Sequence, residues 1–486
     1  MALENKILSL SQPSIKLDQM TIVDTETGES GVIDISENKR RKTGDLYPFI
    51  MINKHTLTAD ELMSFSISES DFLPMLELSI VINNGIFQSN HFPKDGDIIS
   101  VYIRSKRKLI KPIRMDFDIL YVDANPSMSA SGELNIFNFL GVLRIPGLHG
   151  EFCKAFKDQT SFDAIRSVCD TLNIGFATNM TKTDDSMTWI CPYVSYRQFI
   201  VNTTRNAYAT EDSFISCFVD KYYHLNFIDI SQQLVGDGKI EQSIEVESTR
   251  VDYMKGDQDV KEDNVNFKMI LGNHPNMKRT SLFIEGFTLK GSTGKVIIEN
   301  GYRRSAQFYD VHLSGPFKDR YQSHIVESPT SDDSSVSNKG RTGETFADTT
   351  SKYKWIGTQS SNPKGNSHKN YKYAAILNWQ NKRELDKIRL EVVLSQCNFN
   401  LRKGMRVPVL IFNFGNTHQL EATKDKDEEP GMKLTIDRFI SGFYVVLGMK
   451  TVFSLEDGLF RQVVELGRRN WPKPVDYDKT TDKTEK

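Results

Sequence analysis

The sequence predicts a mainly β protein with two similar β-barrel domains, a small α/β domain inserted between them and a β-rich middle region. Three observations lead there. First, LELSIVINNGIFQSNHFPKDGDIISVYIRS (Leu76 to Ser105) is echoed near the end of the chain by KIRLEVVLSQCNFNLRKGMRVPVLIFN (Lys387 to Asn413). Each copy has an alternating strand, a linking stretch, a Lys-and-Gly turn and a second alternating strand. Second, apolar residues recur at period two through both copies, which puts alternate side chains on one buried face. Third, the period becomes helical between Ser161 and Leu225, which marks a domain of a different kind.

The 486 residues suffice for several domains of roughly 100–200 residues each. A net charge of −2 leaves no whole-chain footprint for nucleic acid or an anionic membrane, so no specific nucleic-acid binding is expected. The opening MALENKILSLSQPSIKLD has no signal-peptide core, and no run of about 18 apolar residues occurs, so no membrane insertion is expected. The five cysteines, Cys153, Cys169, Cys191, Cys217 and Cys397, are odd in number and lack C-x-x-C spacing. They read as buried thiols from a reducing compartment. The sequons at Asn179 and Asn202 carry no weight without a secretory signal.

Residues 1–45 form a polar arm in which TETGES separates two short strand-like runs, MTIVD and GVIDI. Lys39-Arg40-Arg41-Lys42 reads as a solvated loop, because it is short and flanked by acids. Residues 46–150 are expected to form the first barrel, their short strands and regular turns fitting a small barrel or a sandwich. Leu76, Leu78, Ile80 and Ile82 alternate, Asn84-Gly85 marks a tight turn, and Ile99, Val101 and Ile103 mark the next strand. Phe117, Ile119 and Tyr121 share the buried face of a further strand, and GELNIFNFLGVLRIPG closes the unit.

Residues 151–240 form the α/β domain. Ser161 caps a helix with Ile165, Val168, Cys169 and Leu172 on one face and Gly175 past its end. A second helix over Ser195 to Tyr208 buries Phe199, Ile200 and Thr203. A third is expected over Thr210 to Leu225, with Phe214, Ile215, Phe218, Val219 and Tyr222 as its stripe, followed by the strand LNFIDI. Residues 241–325 are strands and turns. Their GSTG, Gly291 to Gly294, lacks phosphate-loop spacing and reads as a hairpin turn. Residues 326–370 are a polar low-complexity loop. Residues 371–471 form the second barrel, with Ile388, Leu390, Val392 and Leu394, then Val407, Val409 and Ile411 after Gly404, the charged loop KDKDEEPG, and closing strands to Trp471. Residues 472–486 are a loose charged tail.

No catalytic, cofactor-binding or metal-binding residue is named, and no cofactor is expected. The nine histidines (55, 91, 149, 224, 274, 312, 324, 368 and 418) form no ligand pair at helical spacing. No G-x-S-x-G elbow occurs. Asp184-Asp185 and Asp332-Asp333 read as surface acids.

Taken in order, HFPKDGDIISVYI, TSFDAIRSVCDTLNIGF, SYRQFIVNTTRNAYATEDSFISCFVDKYYHLNFIDI, LRKGMRVPVLIF and the closing run through Leu466-Gly467-Arg468 to Trp471 resemble the baseplate hub proteins of contractile phage tails. They are similar too to the wider late-control-D family and the type VI secretion spike proteins (VgrG). The resemblance covers residues 46–230 and 371–471. It implies tail-tube-like barrels and a homotrimeric ring in the virion, made in the host cytoplasm. Such a ring adapts a hexameric tail tube to a trimeric central spike and leaves a channel for DNA. The implied partners are the tube protein, the spike protein and other baseplate wedge proteins. Two other readings stay open: a peripheral or receptor-binding tail protein, and a tail-associated cell-wall hydrolase whose catalytic cluster would lie within 231–370.

Overall fold

The computed structural model describes residues 7–15, 19–23, 30–34, 46–52, 55–82, 92–94, 96–105, 112–129, 132–211, 213–234, 268–271, 281–291, 304–310, 322–327, 352–358, 368–371, 373–374, 378, 385, 388–394, 397–413, 435–436, 440–455 and 459–468. The TETGES turn, the Lys39–Lys42 cluster, the Asn84-Gly85 turn, Asp332-Asp333, KDKDEEPG, the C-terminal tail and most of GSTG lie outside them.

The arm gives β1 (Leu8–Ser11), β2 (Gln19–Val23) and β3 (Ser30–Asp34). Next come β4 (Leu46–Ile52), β5 (His55–Thr56), β6 (Leu62–Ser68), β7 (Met75–Ile82), β8 (Ile98–Ser105), β9 (Ile113–Ser129) and β10 (Gly132–Leu143). The α/β part holds β11 (Glu151–Gln159), α1 (Ser161–Leu172), β12 (Gly175–Thr178), β13 (Met187–Ser195), α2 (Tyr196–Asn206), β14 (Ile215–Val219), β15 (His224–Asp229) and α3 (Ile230–Leu234). Then follow β16 (Lys268–Leu271), β17 (Ser281–Gly291), β18 (Arg304–Asp310), β19 (Gln322–Glu327) and β20 (Lys352–Thr358). The chain closes with β21 (Ile388–Leu394), β22 (Arg406–Asn413), β23 (Thr435–Ile436), β24 (Gly442–Ser454) and β25 (Leu459–Arg468).

Both β-units belong to one 14-stranded sheet, ordered β23-β22-β16-β17-β21-β25-β24-β6-β7-β10-β9-β8-β4-β5, with β22 paired to β24 as well. Six strands, β24, β25, β21, β17, β16 and β22, therefore form a closed cycle of pairings, a small barrel. Two of the six, β16 and β17, come from the 241–325 stretch. The other unit, β6 to β5, is a curled sheet whose ends do not meet among the described residues.

The repeat is visible in three dimensions. β7 and β8 are separated in the sheet by β10 and β9, and β21 and β22 by β17 and β16. The turn glycines of the two copies, Gly96 and Gly404, have φ of +87° and +82°, a backbone conformation that costs glycine nothing. Leu76, Leu78, Ile80 and Ile82 are buried, as are Ile388, Leu390, Val392 and Leu394. The alternation fails on β9. Phe117 is buried, but Tyr121 is 55% exposed, and so is Leu120 at 53%. A register shift between Leu140 and Gly141 inserts one extra β9 residue, which changes the phase of the alternation, so that Val122, not Tyr121, packs against the core.

Three local expectations change. Thr160, not Ser161, caps α1 by accepting from the Asp163 N–H. Asn173, in the left-handed region at φ 55°, ends the helix, while Gly175 opens β12. The segment after Thr210 is no helix. It is β14, a tight turn at Asp220–Tyr223 and β15. The Asp220 carboxylate accepts from the N–H groups of Tyr222 (2.9 Å) and His224 (3.0 Å), which stabilises the turn over a helical continuation. The α/β sheet runs β1-β12-β15-β14, so the arm supplies an edge strand that its composition did not signal.

The two β-units meet at β24. One edge of β24 pairs with β25 over Val445–Ser454. The other pairs with β22 over Gly442–Val445 and with β6 over Lys450–Ser454. Phe65 stacks on Phe453 at 5.6 Å, and Phe460 lies edge-on to Phe65 and Phe399. These four rings seal the seam with apolar surface. At the handover the chain leaving β6 crosses Gly448. A Cβ there would lie 2.9 Å from Ser70 Oγ and 3.2 Å from Ser70 Cα. Gly448→Ala is expected to lower the unfolding free energy by roughly 1–3 kcal/mol through overpacking against backbone. Gly286→Ala, with nothing within 4 Å of the added carbon, serves as the control. Urea denaturation of both variants checks this, and equal stability of the two would contradict it.

Candidate assembly interface

Three distant segments converge beside the seam: Glu69–Asp71 after β6, Asp220–Tyr223 between β14 and β15, and Leu401–Lys403 before β22. Glu69 is held down by its own N–H, which donates to Met449 O at 2.8 Å. Lys221 Nζ lies 3.3 Å from Glu69 Oε1 and donates to Leu401 O at 2.9 Å. The two side chains are only 4% and 6% exposed. Lys403 Nζ donates to the carbonyls of Ser70 and Asp71 and sits 4.8 Å from the Phe218 ring centroid. Arg402 covers Tyr222 at 5.0 Å. The Asp116 N–H of β9 donates to the Tyr223 hydroxyl at 2.8 Å. One turn of the α/β domain thus touches both β-units.

Burial pulls the Lys403 amine down to about 8, against the partial opposition of Asp71 and Glu69. Burial alone would raise the Asp220 carboxyl. Hydrogen bonding and charge from His224, with Arg402 nearby, outweigh it and hold Asp220 below its usual range.

A second contact ties the end of the 326–370 loop to the α/β domain. The buried His368 Nε2 is 2.8 Å from Asn206 O. Lys369 pairs with Asp184 at 2.9 Å, and Asn370 and Asn378 donate to Asp184 O and Ala207 O. Asp184 is a surface acid as expected, but Asp185 is fully buried. It accepts from Ser161 N and Oγ, Thr183 Oγ1 and Tyr208 N. A carboxylate that takes four donors has a structural use.

Cys169 and Cys191 are buried, Cys217 and Cys397 partly so, Cys153 is exposed, and all five are free thiols. Burial pushes the Cys217 and Cys397 thiols up to about 12, which removes thiolate reactivity. Among the described residues no group of three or more His, Cys, Asp or Glu could hold a metal ion, and no helix is long and apolar enough to cross a membrane.

Two features are available for contacts with other molecules. The β9–β10 hairpin outruns its neighbours: β8 pairs with β9 only over Ile113–Asp118, and β7 with β10 only from Asn135 onward. Leu120 and Tyr121 stand exposed on this arm. Second, the ribbon β11–β13 pairs with no other strand among the described residues and exposes Ile190 and Tyr193. Sequence pattern did not single out either surface, since period two alone does not say which face of an extended hairpin meets solvent.

The solved structures similar to this chain include phage tail proteins. The prophage MuSo2 43 kDa tail protein from Shewanella oneidensis shares 10% identity at a TM-score of 0.48, over 87% of this chain and 98% of that one. The tail protein from Neisseria meningitidis MC58 shares 11% at 0.45, over 87% and 97%. An Escherichia coli component of the type VI secretion system, described as similar in structure to T4 bacteriophage tail proteins, shares 8% at 0.39, over 87% and 79%. No protein-family model matches the chain, and no curated protein matches it in sequence.

Lys221→Met is expected to cost roughly 3–5 kcal/mol, because Glu69 is left buried and unpaired. Lys221→Met with Glu69→Leu is expected to recover most of that loss, as a double-mutant cycle by denaturation would measure. A pH dependence follows as well. Lys403 binds its proton less tightly folded than unfolded. Its burial penalty is therefore present in full below about pH 8 and is relieved as pH rises towards the ordinary lysine value of about 10.4. The stability of the native chain relative to Lys403→Met is expected to rise across that window. A flat difference would show that the amine is not buried.

Proposed function

We propose that this chain is a structural virion protein, the central hub of a contractile-tail baseplate. Three copies form a ring that adapts a hexameric tail tube to a trimeric central spike and leaves a channel for DNA. The observation that carries this reading is the pair of β-units fused edge to edge through β24. Three chains with two related units each offer six related positions on one side and three on the other, which is what a symmetry adaptor must present. The ordered segments from His91 to Trp471 that resemble hub proteins support the same reading. The edge of β9 beyond Asp118, unpaired among the described residues, and the exposed Leu120 and Tyr121 supply a surface on which neighbouring copies can pair strands. In this reading the tube protein, the spike protein and baseplate wedge proteins are the partners, the virion is the location, and no catalytic step belongs to the chain.

The test is light scattering of the purified full chain with negative-stain images of the same peak. A trimer with a central hole is expected. Leu120→Asp combined with Tyr121→Asp is expected to give a folded monomer, its circular dichroism spectrum unchanged and its melting temperature no longer dependent on concentration. A native chain that stays monomeric at high concentration, with tube and spike proteins added, would overturn the hub assignment and favour the receptor-binding reading.

A further inference from the structure

We propose that the β11–β13 ribbon is a docking site for an extended peptide segment of another protein, which adds to β11 as a third strand. The ribbon is a built platform. Its inner face is fixed to α2, with Phe156 stacked on Phe199 at 5.2 Å and Phe152 on Tyr196 at 3.5 Å. Its outer face is apolar and open. Cys153 lies opposite Pro192 and Ala155 opposite Ile190, and all four are exposed. Ile190 is 50% exposed and Tyr193 75%.

Tyr193 is the most telling of them. Phe152 pairs with Val194 and Cys153 with Pro192, so Tyr193 is an extra residue in β13. It sits at φ 52°, in the left-handed region that costs a bulky residue roughly 1–3 kcal/mol. The bulge holds an aromatic ring in solvent on the same strand as Ile190. Strained backbone of this kind gathers at ligand clamps, and an exposed Tyr or Trp is a common anchor of an interface.

The size of the face selects its occupant. Nine residues per strand at about 3.3 Å each, on two strands about 4.8 Å apart, give a face on the order of 300 Å². A stable contact between two folded copies needs about 800 Å² from each partner, so the ribbon is too small for a second copy of this chain. An extended peptide needs less, because main-chain hydrogen bonds to a free edge supply affinity while alternate side chains read the face. The edge it uses is that of β11. β13 is interrupted by Pro192, which has no N–H, and by the bulge. β11 from Glu151 to Phe156 has no proline and no extra residue. The peptide that fits alternates apolar with polar residues, its apolar set continuing the face of Ala155 and Ile190. This site is independent of the hub reading, since neither strand belongs to the 14-stranded sheet.

The experiment uses the full chain and synthetic peptides as long as β11, in which Val, Ile or Tyr alternates with Lys, Glu or Thr, together with the same peptides carrying proline at alternate positions. Binding is read by fluorescence anisotropy and by hydrogen exchange. At least one alternating peptide is expected to bind, its proline counterpart is not, and amides within Glu151–Phe156 are expected to gain protection. Ile190→Asp is expected to weaken binding by roughly tenfold or more, on the scale of an interface anchor. Tyr193→Gly, which relieves the strain, is expected to do the same while keeping or raising the melting temperature. It stands in for Ile190→Asp should that variant fail to fold. The proposal is overturned if no alternating peptide binds better than its proline counterpart, or if protection appears elsewhere. It also fails if the amides of this stretch that point away from β13 are already protected in the isolated chain, which would mean that a segment of the chain itself covers the edge. Self-association that Ile190→Asp abolishes would assign the face to a second copy instead.

Discussion

A β-strand has two hydrogen-bonding edges, and the structure turns on how β24 divides one of them. Its first half closes the six-stranded barrel through β22, and its second half takes β6 and with it the whole first unit. Neither partner can lengthen its contact without displacing the other. The handover therefore falls near Gly448, where a side chain would collide with Ser70. From that point the path of the chain follows. Met449 O takes the Glu69 N–H, which places the Glu69 carboxylate inside the protein. A buried carboxylate without a counter-charge is too costly to keep, and Lys221 is the group that meets it.

The junction is polar where an apolar cluster would hold the segments together at less cost in desolvation. What the charges add is a condition. Lys221 has three donors and no acceptor. It reaches Glu69 from one β-unit and Leu401 O from the other, while its own turn belongs to the α/β domain. It is satisfied only when all three are seated. Lys403 repeats the arrangement in reverse, reaching from the second unit to the carbonyls of Ser70 and Asp71. Apolar rings fix the seam in one direction, and these directed bonds fix its register.

The parts of the fold legible in the sequence were those governed by local period. The strands at Leu76–Ile82 and Ile388–Leu394, the faces of α1 and α2, and the glycine turns of both copies all lie where alternation, helical spacing and turn chemistry put them. What was not legible depended on distant partners. The stripe from Phe214 to Tyr222 fits a helix and a hairpin equally well, and the choice rests on Asp220 and on β12, which pairs with β15 from outside the segment. Asp184 and Asp185 are neighbours of the same type, yet one is at the surface and the other takes four donors, because Ser161 and Tyr208 reach only one of them. Leu8–Ser11 is too short and too mixed to announce an edge strand. The repeat was visible only in its outer strands. The inner pair comes from the following hairpin in the first unit, and from β16 and β17, earlier in the chain, in the second.

That last difference separates the roles open to the two units. The second has closed on itself, and the remaining edge of β24 is taken by β6. The first has its repeat strands at the same separation, β7 and β8 with two strands between, but the ring is not completed among the described residues, and β9 runs on past its neighbour. An unpaired edge is unstable unless it is covered or twisted away. Among the described residues the part of β9 beyond Asp118 is such an edge, with Leu120 and Tyr121 exposed on it. Among the described residues the chain thus holds one closed and one open copy of the same unit, and in the proposed ring the open copy is the one with an edge left for strand pairing.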